Sequence, residues 1–249
     1  MSAALGYFPA ELHVHTVLSP CAELEMLPPL IMRQARRLGL ALLAVTDHNS
    51  AENAGAMMEA GRREGIAVLP GMELQTREEV HLLCLFDTLD DALQWQEQVY
   101  ARLPALKNRE EVFGSQLIVD AEGEFVAFQE RLLLTSTTFA VEEAVEEVGR
   151  LGGVVIPAHV DRPSFSLLSN LGLIPPGLDV PAVELSPHTA PAQARQRFPQ
   201  LGERTLICNG DAHRLSEMQN RTMFKIERPT IAELRLACAG RQGRKVLIE

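Results

Sequence analysis

Two stretches decide how this chain folds: Glu11-Leu12-His13-Val14-His15 and Ala41-Leu42-Leu43-Ala44-Val45-Thr46-Asp47-His48. Each is a short apolar run that ends in histidine, and short apolar runs bounded by turn residues read as strands. The pattern recurs at Ile66-Ala67-Val68-Leu69, Val80 to Phe86, Val154-Val155-Ile156, Ala182-Val183-Glu184-Leu185, Thr205-Leu206-Ile207-Cys208 and Val246-Leu247-Ile248. Amphipathic stretches separate these runs. Met26 to Leu38 carries Pro28 and Pro29 near its start and Gly39 after its end, the usual punctuation of a helix. Ser50 can cap a helix running to Glu64, Asp90 to Leu103 has helical spacing, Thr138 can cap Ala140 to Leu151, and a last helix spans Ile231 to Ala239.

Continuous apolar strands alternating with helices imply a parallel sheet covered on both faces. Six or seven such units in 249 residues favour a closed or distorted α/β barrel of the TIM-like kind over an open sheet. Residues 107–134 differ in texture. There Gln116-Leu117-Ile118-Val119 and Glu124-Phe125-Val126-Ala127-Phe128 flank Asp120-Ala121-Glu122-Gly123 as a β-hairpin, expected to be an inserted cap. No linker divides the chain, so residues 1–249 read as one domain.

The formal charge of −10 argues against broad nucleic-acid binding, which needs a basic surface to release counterions. A small phosphorylated substrate is expected instead, with a short oligonucleotide left open. Cys21, Cys84, Cys208 and Cys238 form no CxxC pair and read as reduced thiols. Without an apolar run of membrane-spanning length, the expectation is a cytoplasmic protein with no membrane association.

The chemistry collects at strand ends: LHVH, AVTDH, LPGME, VIPAH and CNGDAH, with His81 near the start of a strand. In a parallel barrel the strand C-termini gather at one face, so these distant residues share a pocket. His13 and His15, two apart on a strand, point the same way and can reach one cation. Asp211-Ala212-His213 repeats that geometry with a carboxylate first, and Asp47 can orient the ring of His48. Imidazole and carboxylate together suit zinc, manganese or iron.

In this order, HVH, TDHN, PGME, the histidine of VHLLCLF, PAHVDRP and GDAH resemble the PHP (polymerase and histidinol phosphatase) domain over nearly the whole chain. The resemblance implies a distorted (β/α)7 barrel holding two or three divalent ions. It puts His13, His15, Glu73 and Asp211 around one metal, Glu73 with His81 and His159 around a second, and His48 with His213 around a third. Related chains carry an acid or histidine shortly after HxH. Here the stretch is His15-Thr16-Val17-Leu18-Ser19-Pro20-Cys21, and proline offers no side-chain ligand. Cys21, Glu23 and Glu25 are near enough to substitute, and Glu25, just before the helix, is the favoured one.

The expected reaction is hydrolysis of a phosphate ester by a hydroxide bridging two metals beside Glu73. Asp211 and Asp47 are candidates to orient groups or relay protons. Arg162, three residues past His159, is placed for a bidentate contact with phosphate. Metal-dependent hydrolysis of an amide or carboxylic ester, and a non-catalytic domain stabilised by its metals, are the rival readings.

Overall fold

The first strand, β1 (Gly6–Val14), does not keep one register against its parallel neighbour β2 (Leu42–Val45): the pairing shifts between Glu11 and Val14. A bulge of this kind re-aims the side chains beyond it. Ala10 and Leu12 belong to one buried cluster while Val14 joins another, so the alternation breaks just where His13 and His15 stand.

The computed structural model describes residues 4–248; residues 1–3 and 249 of the one-domain reading lie outside them. The remaining strands are β3 (Ala67–Gln75), β4 (His81–Leu85), β5 (Leu117–Val119), β6 (Phe125–Phe128), β7 (Val154–Pro157), β8 (Ala182–Leu185), β9 (Thr205–Cys208), β10 (Thr222–Ile226) and β11 (Lys245–Ile248). Seven of them form a curled sheet in the order β11-β10-β1-β2-β3-β4-β7. The parallel pair β8-β9 stands across its opening, β8 beside β7 and β9 beside β11. Beyond β9, Ala212 bridges back to Val14 of β1.

The apolar strands are buried on both faces, as their unbroken runs require. Leu42, Leu69, Leu83, Ile156, Ala182 and Ile207 meet in one cluster shared by both sheets. Their neighbours Leu43, Met72, Leu82, Val155, Val183 and Leu206 pack in the other with helix residues such as Ile31, Met57, Trp95 and Ala144.

Several expectations need correction. The sheet is not all parallel: β4 runs antiparallel to β3 and β7, β10 to β1, and β11 to β10. The consequence for the site is direct, since reversing β4 brings its first residue, His81, to the end where β1, β2 and β3 finish. Ser50 does not cap the second helix, which spans Ala54–Glu64. Its hydroxyl instead bonds Gln96 Oε1 at 3.1 Å and the Tyr100 hydroxyl at 2.7 Å. Thr138 likewise caps nothing; at the helix Val141–Arg150 the Glu143 carboxylate accepts from the Ala140 N–H at 2.9 Å. The strand β10 and the short helices Leu167–Leu171 and Pro191–Arg197 were not anticipated.

The hairpin β5-β6 forms, with both the Glu122 and Glu124 N–H groups donating to the Asp120 carboxylate. Asn53 fastens it to the main body by donating to Leu117 O and accepting from Val119 N, each at 3.0 Å. Among the described residues no helix is long and apolar enough to cross a membrane.

Candidate metal centre

Glu73, near the end of β3 and 1% exposed, is the hub. Its Oε1 lies 2.9 Å from His81 Nδ1, 3.1 Å from His159 Nε2 and 3.2 Å from His13 Nε2. Its Oε2 lies 3.0 Å from His48 Nδ1 and 3.5 Å from His15 Nε2. The backbone on either side of His48 holds Glu73 in place: Glu73 N donates to Asp47 O and Asn49 N donates to Glu73 O, each at 3.0 Å. Asp211 closes the group, its Oδ1 3.1 Å from Nε2 of both His13 and His15. His213 stacks on His15 with ring centroids 4.0 Å apart.

The ring orientations follow from partners behind them. His13 Nδ1 donates to Glu184 at 3.0 Å, which directs Nε2 at Glu73 and Asp211. Ser19 gives its hydroxyl proton to Asp47 at 2.7 Å, so it accepts from His15 Nδ1 at 2.9 Å and again Nε2 faces inward. His213 Nδ1 donates to Asp211 O at 3.0 Å. A hydrogen bond at one ring nitrogen that frees the other is the usual arrangement of a ligating histidine.

Electrostatics agree with this geometry. Burial alone would push Glu73 upward, but His81, His13 and His48 hold it well below the usual carboxylate range. Burial likewise opposes ionised Asp211, and His13 and His15 outweigh it in the same way. Burial disfavours a charged His13, yet Asp211, Glu184 and Glu73 raise it well above its ordinary value. His15, buried beside His213, is pushed down. Within this cluster three buried atoms lack a hydrogen-bond partner: His13 Nε2, Glu73 Oε2 and His159 Nδ1. Leaving such atoms bare is costly unless something else binds them, and a cation shared by Glu73 and His13 meets that need.

Among the described residues three sets offer ligand atoms within 4.8 Å of one another: His13, His15, Glu73 and Asp211; His48, Glu73 and His81; His15, His48 and His213. The first contains the four residues that the family resemblance puts around one metal. In the second, His48 stands where His159 was expected, though His159 keeps its own approach to Glu73. In the third, His15 joins His48 and His213.

Other candidates fall elsewhere. Glu25 is exposed and turned away, accepting from Leu215 N at 3.1 Å; Glu23, also exposed, pairs with Arg214 at 3.3 Å. The favoured substitute for the missing acid is therefore corrected. Cys21, the alternative, lines a cavity with His213; burial raises its thiol, but His48 and His213 bring it down to about 6. Arg162 reaches the site and donates to Asp211 Oδ2 at 2.5 Å. It lines both a cavity of about 200 Å³ over Glu73, His81 and His159 and a neighbouring one of about 460 Å³ that includes Cys21, His188 and Arg214. The Asp47 carboxylate accepts from Thr16 N, the Thr16 hydroxyl and the Ser19 hydroxyl, each at 2.7 Å, and makes no bond to the ring of His48. A larger cavity of about 690 Å³ lies between the helices Pro28–Leu38 and Ala54–Glu64, away from the histidines, where Arg36 pairs with Glu64 and Arg63 with Glu122.

Two carboxylates were missed. Glu184, fully buried in β8, accepts from His13 Nδ1, from His159 N at 3.0 Å and from Asn209 Nδ2 at 2.8 Å. Glu11, fully buried in β1, accepts from Gly210 N at 2.9 Å and Gln219 N at 3.0 Å, beneath the Asp211 turn. The available signal was an acid inside an otherwise apolar strand, which is unaffordable without partners. The turn itself is tight: a Cβ on Gly210 would sit 2.1 Å from Glu217 O. His159 and Asp211 both hold positive φ, at 29° and 49°, conformations that non-glycine residues keep only when their surroundings enforce them.

Comparison with known proteins adds to this geometry. No curated protein matches the chain. The lesion-specific endonuclease PfuEndoQ from Pyrococcus furiosus superposes with a TM-score of 0.69 at 20% identity, over 97% of this chain and 58% of the endonuclease. This chain thus spans less than two thirds of that protein. PsfC from Pseudomonas syringae gives 0.56 at 17% identity over 99% of this chain and 92% of its own. An amidohydrolase from Chromobacterium violaceum gives 0.54 at 18% identity over 85% and 90%. These likenesses concern the fold. The family model for the PHP domain matches residues 11–137, just over half of the chain, a span that holds His13, His15, His48, Glu73 and His81. The ordered motifs, the strands that carry them and this match agree: the chain belongs to the PHP domain family.

Proposed function

We propose that this protein is a metal-dependent phosphoesterase whose reaction takes place at the Glu73 cluster. The observation that carries the reading is the convergence of five imidazoles on one buried carboxylate, with bare ligand atoms among them. Two or three ions of zinc, manganese or iron suit this donor set. His13, His15, Glu73 and Asp211 would hold the first, Glu73 with His81 and His159 the second, and His48 with His213 the third. Divalent cations, when bound, neutralise phosphate oxygens and lower the pKa of water toward neutrality.

The chain's own groups do the rest. Glu184 and Ser19 fix the tautomers of His13 and His15. Arg162 spends one N–H on Asp211 and has further donors for a phosphate oxygen at the wall shared by the two cavities. His188 and Arg214 line the second cavity, where the remainder of a substrate would lie. In this reading β1 to β4 and β7 to β9 make a distorted (β/α)7 barrel, the chain is one domain, and residues 107–134 form its cap. Four unpaired cysteines fit a cytoplasmic setting.

The charge of −10 and the modest cavities favour a small phosphorylated substrate. A second reading, hydrolysis within nucleic acid, is favoured by the likeness to Endonuclease Q. That enzyme's solved complex carries a 27-mer duplex with an abasic lesion at the active site; it superposes with a TM-score of 0.66. The test is metal content of protein purified without chelator, paired with turnover of an aryl phosphate, an aryl phosphodiester and an abasic duplex. Bound metal with chelator-sensitive phosphate release supports the proposal, and the three substrates rank the classes. Bound metal with no phosphoester turnover favours C–N hydrolysis, as in the amidohydrolase likeness, or a non-catalytic domain.

A further inference from the structure

Phe165 puts a large apolar side chain where the chemistry of the metal centre calls for none. It lines the cavity of about 200 Å³ over Glu73, His81 and His159, and every other residue of that lining is polar or ionisable. Phe165 is 42% exposed. Its backbone holds a φ of 53°, which costs a bulky residue free energy and persists only where the surroundings impose it.

The loop that carries it is tied down on each side. Arg162 N donates to His159 O at 2.9 Å, and the Ser166 hydroxyl donates to Arg162 O at 2.7 Å. Phe165 O accepts from the N–H of His81, the first residue of β4, at 3.0 Å. Asn170, in the helix Leu167–Leu171 that follows, donates to Glu78 O at 2.9 Å and to Glu79 O at 3.0 Å, which anchors the loop to the β3–β4 turn. These bonds set the Phe165 ring against that of His81, with centroids 4.9 Å apart and planes inclined by 24°. No second aromatic ring stacks on it among the described residues, so its exposed surface is left to the cavity. A shield for His81 needs only the covered face. The other offers a flat ligand group a place to shed water and stack.

We propose that Phe165 determines substrate specificity: its exposed face is the platform on which a planar ring of the ester stacks. The protein then takes phosphate esters carrying an aryl or nucleobase group over those carrying a flexible aliphatic one. The inference rests on the phosphoesterase reading given above. Arg162, on the same loop, lines both cavities, so a phosphoryl group held there has its ring at Phe165 and any second substituent in the cavity of about 460 Å³. A ring laid against the polar lining would strip it of water with no bond in return, so Phe165 is where an apolar group settles.

The test is calorimetric binding of phenylphosphonate and methylphosphonate, whose P–C bonds the reaction does not cleave, to the metal-loaded full chain. The wild type should bind phenylphosphonate more tightly. In Phe165→Ala the ratio of the two affinities should fall about fivefold or more, the share of one stacked ring, and Phe165→Trp should restore it. Metal content, measured alongside, separates stacking from support of His81. If Phe165→Ala loses metal, Phe165→Leu carries the same comparison, because it keeps an apolar cover over His81 without a flat face. Equal affinities in the wild type, or a ratio unchanged in both Phe165→Ala and Phe165→Leu, overturns the inference and leaves the phosphoesterase reading intact. A wild type that takes up no metal, or that binds neither phosphonate and cleaves no aryl phosphate, overturns both.

Discussion

Glutamine in place of Glu184 keeps the shape of the side chain and changes one oxygen into an NH2 group. The wild-type carboxylate is fully buried and accepts from His13 Nδ1 at 3.0 and 3.1 Å, from His159 N at 3.0 Å and from Asn209 Nδ2 at 2.8 Å. Every one of these partners is a donor, so the new NH2 group must oppose one of them. If it faces Asn209, that residue cannot turn its amide without giving up the bond from Leu12 N to its Oδ1, 3.0 Å long. If it faces His159, a buried backbone N–H is left bare. One unsatisfied buried group costs about 1–3 kcal/mol, and urea unfolding of metal-free Glu184→Gln should show a loss of that size. His13 also loses its anionic partner. Removing such support lowers metal affinity about 10–100-fold, or ~1.4–2.7 kcal/mol, measurable by competition with a chromogenic chelator. An unchanged unfolding midpoint together with wild-type affinity would refute the reasoning. Lost stability with unchanged affinity would mean that Glu184 supports the backbone of His159 but not the ring of His13.

Three further outcomes are expected. Burial holds the Glu11 carboxyl at about 8 against its ordinary 4.5, despite the N–H groups of Gln219 and Gly210. The folded chain then keeps a proton that the unfolded chain releases, so this contribution is full below about 4.5 and lost as pH rises toward 8. Glu11→Gln should flatten that decline in metal-free protein, and an unaltered slope in urea melts across the window would contradict it. Arg162→Ala should lower kcat/KM for an aryl phosphate about 10–100-fold, as expected for losing a hydrogen bond to a charged group, at unchanged metal content. Arg162→Lys should recover only part of this, because lysine lacks the planar fork; full activity in Arg162→Ala would leave Arg162 merely a brace for Asp211. Gly210→Ala should destabilise the fold by about 1–3 kcal/mol and reduce bound metal, because the clash is with the Glu217 backbone carbonyl. Wild-type melting and metal content would show that the turn accommodates a Cβ.

Stability and function meet at this cluster. The histidines, Glu73 and Asp211 are crowded into a water-poor pocket where the surrounding charges, rather than burial alone, set their protonation. A fold that needed only stability would fill such a place with apolar side chains. The positive φ values at Asn49, His159 and Asp211 fit the same account, since each lies next to or within the ligand set.

Local pattern alone determined a good deal. Apolar runs ending in His13, His15, His48 and His159 revealed both the strands and the end at which chemistry collects, because a run's length and its final polar residue are local properties. The hairpin at Leu117–Phe128 was legible for the same reason. Only the tertiary structure decided the rest. An apolar run carries no arrow, so the reversal of β4 that turns His81 inward could not be read from Val80 to Phe86. Nor could the register shift between Glu11 and Val14, which arises from pairing with β2, a strand distant in sequence. Glu184 looked like an acid stranded in a strand until His13 and Asn209 arrived as its donors. Glu25 and Cys21 stand on one loop, and local sequence favoured the acid. The bond from Leu215 N holds Glu25 at the exposed surface, and such a long-range bond leaves no trace in local sequence.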